Sequence, residues 1–220
     1  MSAIALPAPD PQIIARRDDI IRQLGALVGS SAVIGDEDGR RLFETDGLTA
    51  YRRMPLAVVL PESTEDVARI LRFCREGGIK VIARGAGSSL GGGALPAEDA
   101  IVVGVSRMNK VIDIDYASRT ARVQTGITNL AISSAVGARG FFYAPDPSSQ
   151  LACTLAGNLA MNSGGAHCLK YGVTTNNVLG MKMVTMDGEI IEIGGAHMDA
   201  PGYDLLGLCV GSEGQFGTVT

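Results

Sequence analysis

The stretch Arg84-Gly85-Ala86-Gly87-Ser88-Ser89-Leu90-Gly91-Gly92-Gly93 is the part of this sequence best suited to chemistry. A loop so poor in side chains lets successive backbone N–H groups converge on one anion, and the hydroxyls of Ser88 and Ser89 add donors. Such a loop suits a pyrophosphate. Spacing separates it from two other anion-binding loops. The Walker pattern needs a lysine after its last glycine, and none is present, which argues against nucleoside triphosphate hydrolysis. The Rossmann pattern needs a third glycine that opens a helix, but Gly85-x-Gly87-x-x-Leu90 runs on into more glycine.

A single glycine cluster also fits a surface loop without a ligand, so the rest of the chain has to arbitrate. Glycine is abundant, at 29 of 220 residues, and it concentrates in stretches such as Gly85–Gly93 and Gly207–Gly217, where backbone must turn sharply or closely approach something. Four further small, hydrogen-bonding loops follow: Pro145-Asp146-Pro147-Ser148-Ser149, Thr154-Leu155-Ala156-Gly157-Asn158, Asn162-Ser163-Gly164-Gly165, and Gly211-Ser212-Glu213-Gly214-Gln215-Phe216-Gly217. Spread along the chain, they suit a long cofactor threaded through backbone.

Titratable groups contribute less. His167, in His167-Cys168-Leu169-Lys170-Tyr171-Gly172, has the chemistry of a general base, but its loop setting favours ordering backbone or bonding locally. His197, beside Met198 and Asp199, reads as surface. Cys74, Cys153, Cys168 and Cys209 show neither a C-x-x-C pair nor histidines at zinc spacing, so reduced, buried thiols are expected and no metal site.

Taken in order, R-G-A-G-S-S-L, then P-D-P followed by G-N-x-A-x-N-S-G-G, then H-C-L-K-Y-G, then G-S-E-G-Q-F-G-T-V-T resemble the FAD-binding domain of the vanillyl-alcohol oxidase or PCMH superfamily. Within it the set is most similar to the FAD subunits of glycolate oxidases and their D-lactate and D-2-hydroxyglutarate dehydrogenase relatives, over about Tyr51 to Thr220. The resemblance implies an FAD site made of Arg84, Gly85, Ala86, Gly87, Ser88, Ser89 and Leu90 around the pyrophosphate, then Pro145, Thr154, Gly157 and Asn158, then Asn162, Ser163 and Gly164, and last Glu213, Gly214, Gly217 and Val219. Some superfamily members tether the flavin through a histidine of the first loop. Ser88 and Ser89 stand there instead, so non-covalent FAD is expected.

The same resemblance implies oxidation of a small 2-hydroxy acid, glycolate or D-lactate in type, to the 2-oxo acid. Electrons would leave through a second flavin-type subunit, an iron-sulfur subunit or a quinone-linked acceptor. In such relatives the catalytic histidine and metal ligands lie beyond the position matching Thr220, so catalytic residues are unassigned in this chain and a substrate domain is expected to be absent. Three other readings stay open: a truncated, non-catalytic remnant holding FAD or nucleotide, a D-2-hydroxyglutarate dehydrogenase-like enzyme, and a different chemistry on the same fold, such as a reductase using a nicotinamide cofactor.

The elements that must position these loops follow from periodicity. Ile13, Ile14, Ile20, Ile21, Leu24 and Val28 recur at helical spacing and predict one amphipathic helix, followed by a polar connector, Gly35 to Arg53, in which Asp46 and Tyr51 read as structural. Ala57 to Leu60, a helix opened by Ser63 with Asp66 in capping-box position, and Lys80 to Ala83 predict a β-α-β unit with a parallel strand pair. Ile101–Val105, Val111–Ile114 and Thr120–Gln124 read as strands of an open sheet. Thr128 caps a helix over Asn129–Val136, and Met186-Asp187-Gly188 turns a hairpin between Met181–Thr185 and Glu189–Ile193.

The expected architecture is α+β: a PCMH-type FAD-binding domain of two α/β subdomains, one a small β-α-β unit and the other mainly antiparallel, with FAD between them and an N-terminal helix before them. Residues 1–50 form helix and connector, and 51–220 the FAD-binding domain, incomplete at its C-terminal end. Composition agrees, since 46% hydrophobic against 19% charged residues permits a packed core. A net charge of -4 argues against binding nucleic acid, whose phosphates need a basic partner surface. No run approaches the roughly twenty apolar residues of a membrane span, and no signal peptide is read. A cytoplasmic protein is expected, peripheral to the inner membrane only through partners.

Overall fold

The computed structural model describes residues 7–197 and 202–220. The N-terminal helical periodicity is divided between α1 (Pro11–Ala15) and α2 (Arg17–Val28). The carboxylate of Asp10 opens α1 by accepting the Gln12 N–H, and the backbone leaves helical geometry at Arg16, at φ -91° and ψ 4°. One continuous helix was expected. The break at Arg16 brings Ile13 on α1 and Ile20 and Leu24 on α2 into one buried cluster with Val59, Ile101 and Val103.

Beyond β1 (Val33–Ile34) and α3 (Glu37–Arg41) comes the first sheet, built from β2 (Ala57–Val59), β3 (Lys80–Arg84) and β4 (Ala100–Gly104), with α4 (Thr64–Glu76) linking β2 to β3. Strand order is β1-β2-β4-β3. The two strands of the predicted β-α-β unit are therefore parallel but not adjacent, since both pair with β4, through Val58↔Val102 and Ile82↔Val102. Every residue of β4 is buried. A strand apolar on both faces is stable only inside the sheet, and that takes β4 to the middle. β1, just ahead of the connector, adds antiparallel to the other side of β2.

The side chain of Ser63 accepts the Asp66 N–H, as a capping residue should, while the Asp66 carboxylate reaches back to Glu62 N–H rather than to Ser63. α4 is buried on two sides. Ile70 and Cys74 join the cluster under the parallel sheet, whereas Val67, Ala68 and Leu71 pack with Val105, Met108 and Val184 of the following half.

That second half opens with a ribbon of β5 (Val111–Asp115) and β6 (Thr120–Val123), which pair only with each other. They were expected to share a sheet with β4. Most of β5 is exposed, as its polar alternation allows, and it makes no part of the core. α5 (Asn129–Gly137), α6 (Leu155–Met161) and α7 (Cys168–Tyr171) lead to an antiparallel sheet of order β8-β7-β9, from β7 (Gly180–Val184), β8 (Ile190–Gly194) and β9 (Thr218–Val219), with α8 (Leu205–Cys209) before its last strand. Leu159, Met181, Met183, Ile193, Cys209 and Val210 form the core there. The β7–β8 turn places Gly188 at φ +74° against α4, where Arg72 donates to the Gly188 carbonyl at 3.1 Å. Parallel and antiparallel subdomains thus meet across α4, in the α+β arrangement expected.

Candidate functional site

The glycine loop leaves β3 at its last residue. Among the described residues, no backbone N–H from Gly85 to Leu90 donates to another protein group. Gly87 is left-handed, at φ +70°, and a Cβ there would strike the Arg84 guanidinium. A Cβ on Gly85 would strike Thr154 Oγ1. Both glycines are therefore demanded by close approach, and the loop keeps a row of unused backbone donors.

Two segments distant in sequence close on this loop. Ala83, Arg84 and Gly85 share a cleft with Ala156 and Gly157 of α6 and with Ser212, Glu213, Gly214, Gly217, Thr218 and Val219. The start of α6 is held from behind: Leu155 N–H donates to Ile127 at 2.9 Å, Ala156 N–H to Thr125 at 2.7 Å, and Gly157 N–H to the capping Thr154 hydroxyl at 3.4 Å. Its first amides are already bonded, so this wall contributes small size rather than donors. The last loop is stitched to α6 by Glu213 N–H to Ala160 (2.8 Å) and Gly211 N–H to Leu159 (2.7 Å), with Glu213 at φ 55° and Gly214 at φ 78°.

The remaining expected contacts lie around this cleft and are engaged in scaffolding. Asn158 is buried and donates to Asn129 Oδ1, while Asn129 Nδ2 donates to the Pro145 carbonyl at 3.0 Å. Asn162 ends α6 in the left-handed region at φ 48°, and its Oδ1 accepts the Thr175 N–H at 2.9 Å. Ser163 accepts from both Thr174 N–H (2.9 Å) and Thr174 Oγ1 (2.7 Å) through its carbonyl. Gly164 has no room for a side chain against Cys168 and Val173. Ala86, Ser88 and Leu90 lie exposed on the outer side of the glycine loop.

Asp146 clasps His167, accepting its backbone N–H at 3.3 Å and bonding ring Nδ1. The hydrogen bond to His167 holds the Asp146 pKa below the usual carboxylate value, against a smaller opposing effect of desolvation. His167 is thus a local tie between two loops, as its sequence setting suggested. Burial pushes the Cys74 thiol up to about 12 and keeps it protonated.

Several residues of the site carried no signal in the sequence. Thr125 donates its hydroxyl to the Val219 carbonyl at 2.8 Å, and Gly126 is pressed against the carbonyls of Val105 and Met108. Asn129 organises Pro145 and Asn158 from a position that reads as an ordinary first turn of helix. No group of three histidine, cysteine or acidic side chains suited to a metal occurs among the described residues.

The profile of a family described as FAD binding domain matches residues 55–194. The chain belongs to this family. Among its relatives, glycolate oxidase subunit GlcD of Escherichia coli (strain K12) is 50% identical over 178 residues, covering 81% of this chain and 36% of that protein. A D-lactate dehydrogenase of Archaeoglobus fulgidus is 38% identical over 190 residues, 86% of this chain and 42% of that one. The chain therefore spans about two fifths of the length of these relatives. A solved alkyldihydroxyacetonephosphate synthase superposes on 99% of this chain and 40% of its own with a TM-score of 0.81 at 25% identity. The residues present fit the family's cofactor: unbonded loop amides and the serine hydroxyls, still free to donate, suit a pyrophosphate, and the glycine and alanine walls admit a long, flat group. Among the described residues no helix is long and apolar enough to cross a membrane.

Proposed function

We propose that this chain is the FAD-binding part of a flavin-dependent oxidoreductase that converts a small 2-hydroxy acid, of the glycolate or D-lactate type, to the 2-oxo acid. The observation that carries the reading is the glycine loop. Its amides from Gly85 to Leu90 are unbonded within the protein, and its first residue, Gly85, lines a cleft walled by α6 and residues 212–219, in a family of FAD-binding domains. The substrate class is supported by the names of the two relatives above, both long enough to hold a further domain.

Bound FAD would supply a two-electron acceptor. This chain's part is to hold and orient it: the loop amides and the Ser88 and Ser89 hydroxyls take the pyrophosphate, and Gly157, Gly214 and Gly217 let the cofactor approach backbone. Attachment is non-covalent, since Arg84 to Gly93 contains neither histidine nor cysteine. The base that removes the hydroxyl proton, and any metal beside it, belong to the part of the relatives not matched here. A partner subunit of flavin or iron-sulfur type, or a quinone-linked acceptor, receives the electrons.

The test is the visible spectrum of the purified protein, followed by acid release and identification of any flavin. Released FAD is the expected result, and bleaching by glycolate or D-lactate under anaerobic conditions is expected only of a protein that also carries the part of the relatives not matched here. A folded, colourless protein that takes up no added FAD would sink the proposal.

A further inference from the structure

We infer that Arg84 is not a ligand of the pyrophosphate but a positioning residue behind it, and that the connector at residues 43–48 is the fixed back wall of the FAD loop. This rests on the flavin reading above. Arg84 stands at the head of the loop, yet its side chain turns inward and is 8% exposed. Nη1 donates to the carbonyls of Thr45 at 2.8 Å and Ala94 at 3.3 Å, one on the connector and one at the far end of the loop. The guanidinium lies 5.4 Å from the centroid of the Phe43 ring. The loop then folds over it so tightly that a Cβ on Gly87 would occupy the space of the guanidinium itself.

Gly47 supports the loop from the same side. A Cβ there would lie 2.7 Å from the carbonyl oxygens of both Ser88 and Ser89. Those carbonyls point back to the connector, which leaves their peptide N–H groups facing away from it, because the two ends of a planar trans peptide are opposed. The connector thus sets the direction of the loop donors without touching the ligand. It lies outside the matched stretch of 55–194.

The charge balance points the same way. A buried guanidinium is costly unless paired. Asp46 is the nearby acid, but one of its carboxylate oxygens accepts the Leu48 N–H at 2.9 Å and the other is buried without a hydrogen-bond partner, so the two charges are not in contact. A cation held under the loop without a contacting counter-charge favours an anion on the loop's outer side.

The experiment compares FAD and riboflavin binding by the flavin-free protein, unaltered and as Arg84→Lys and Gly47→Ala. Lysine retains the charge but lacks the planar guanidinium that lies over the Phe43 ring and fills the space beneath Gly87. Alanine at 47 displaces the loop without altering any charge. The expected result is FAD affinity weakened by at least about tenfold in both, as when a preorganised donor array is disturbed. Riboflavin, which lacks the pyrophosphate, should change less than about threefold on the same grounds. FAD affinity retained in both variants would overturn the inference, and so would equal losses for FAD and riboflavin, which would mark a general structural defect. Should Arg84→Lys fail to fold, Gly47→Ala decides by the same criterion. If the unaltered protein binds no FAD, the proposed function falls and this inference with it.

Discussion

Asn129 is 1% exposed and joins three segments through one amide: its oxygen accepts from Asn158, and its nitrogen donates to the Pro145 carbonyl. Replacing it with leucine leaves a buried amide and a buried carbonyl without partners, each costing about 1–3 kcal/mol. Asn129→Leu should therefore lower stability by about 2–6 kcal/mol in urea unfolding, on the same per-group figure. Asn129→Asp loses the donor to Pro145 and sets an unpaired carboxylate against that carbonyl, so it should lose at least as much; a loss below about 1 kcal/mol in either variant would contradict this account. Nothing at the residue level announced this role, because an asparagine after a capping threonine reads as helix start. The glycines were more legible. Gly85 and Gly87 sit in the sort of stretch that only close backbone approach explains, and both have no space for a Cβ. Arg84 lay between these cases: its place beside the loop was readable, but side-chain direction depends on the Thr45 and Ala94 carbonyls that receive it.

Among elements, the start of α1, the start of β3 and the approach to β4 are tied by Asp99. Its carboxylate accepts from Asp10 N–H at 2.8 Å and Lys80 Nζ at 2.7 Å. Burial acts to raise the Asp99 pKa, but the bonds from Lys80 and Asp10 together with the Lys80 charge outweigh it and hold the pKa below the usual value. A carboxylate with a lowered folded pKa contributes stability above its unfolded pKa of about 3.9 and loses it as pH falls through the folded value. Asp99→Asn retains an acceptor and removes the titration, so its urea midpoint should decline less than the unaltered protein's between pH 7 and pH 3. Parallel declines would refute the linkage. A second element-level expectation concerns the β7–β8 turn. Gly188→Ala forces a side chain into the left-handed region and to 2.6 Å from the Ala68 carbonyl, and should destabilise by more than about 1 kcal/mol in the same assay. Periodicity located most strands to within a residue or so, because alternation and turn residues are local. Pairing was less legible: β2 and β3 looked like neighbours, and the claim of β4 on the central position shows only when burial on both faces is compared across strands.

At the scale of the molecule, the cleft proposed to hold the cofactor draws on both halves of the fold. The loop belongs to the parallel sheet, its walls to α6 and the segment entering β9, and Thr125 and α4 join them. Ligand that binds only the folded state should stabilise the chain as one unit, by about 2.7 kcal/mol at a free concentration a hundredfold above Kd. A single thermal transition that moves upward with added FAD is expected; two transitions, of which one alone moves, would show that the halves unfold separately. The order of these parts along the chain also bears on biosynthesis. The parallel sheet is complete once Gly104 has emerged, whereas the far wall of the cleft arrives only with residues 212–219. At roughly 5–20 residues per second, a ribosome leaves the interval between them at on the order of ten seconds. During that time a nascent chain presents a formed sheet and an uncovered glycine loop, so the flavin site proposed above would be completed only after the sheet that carries its loop.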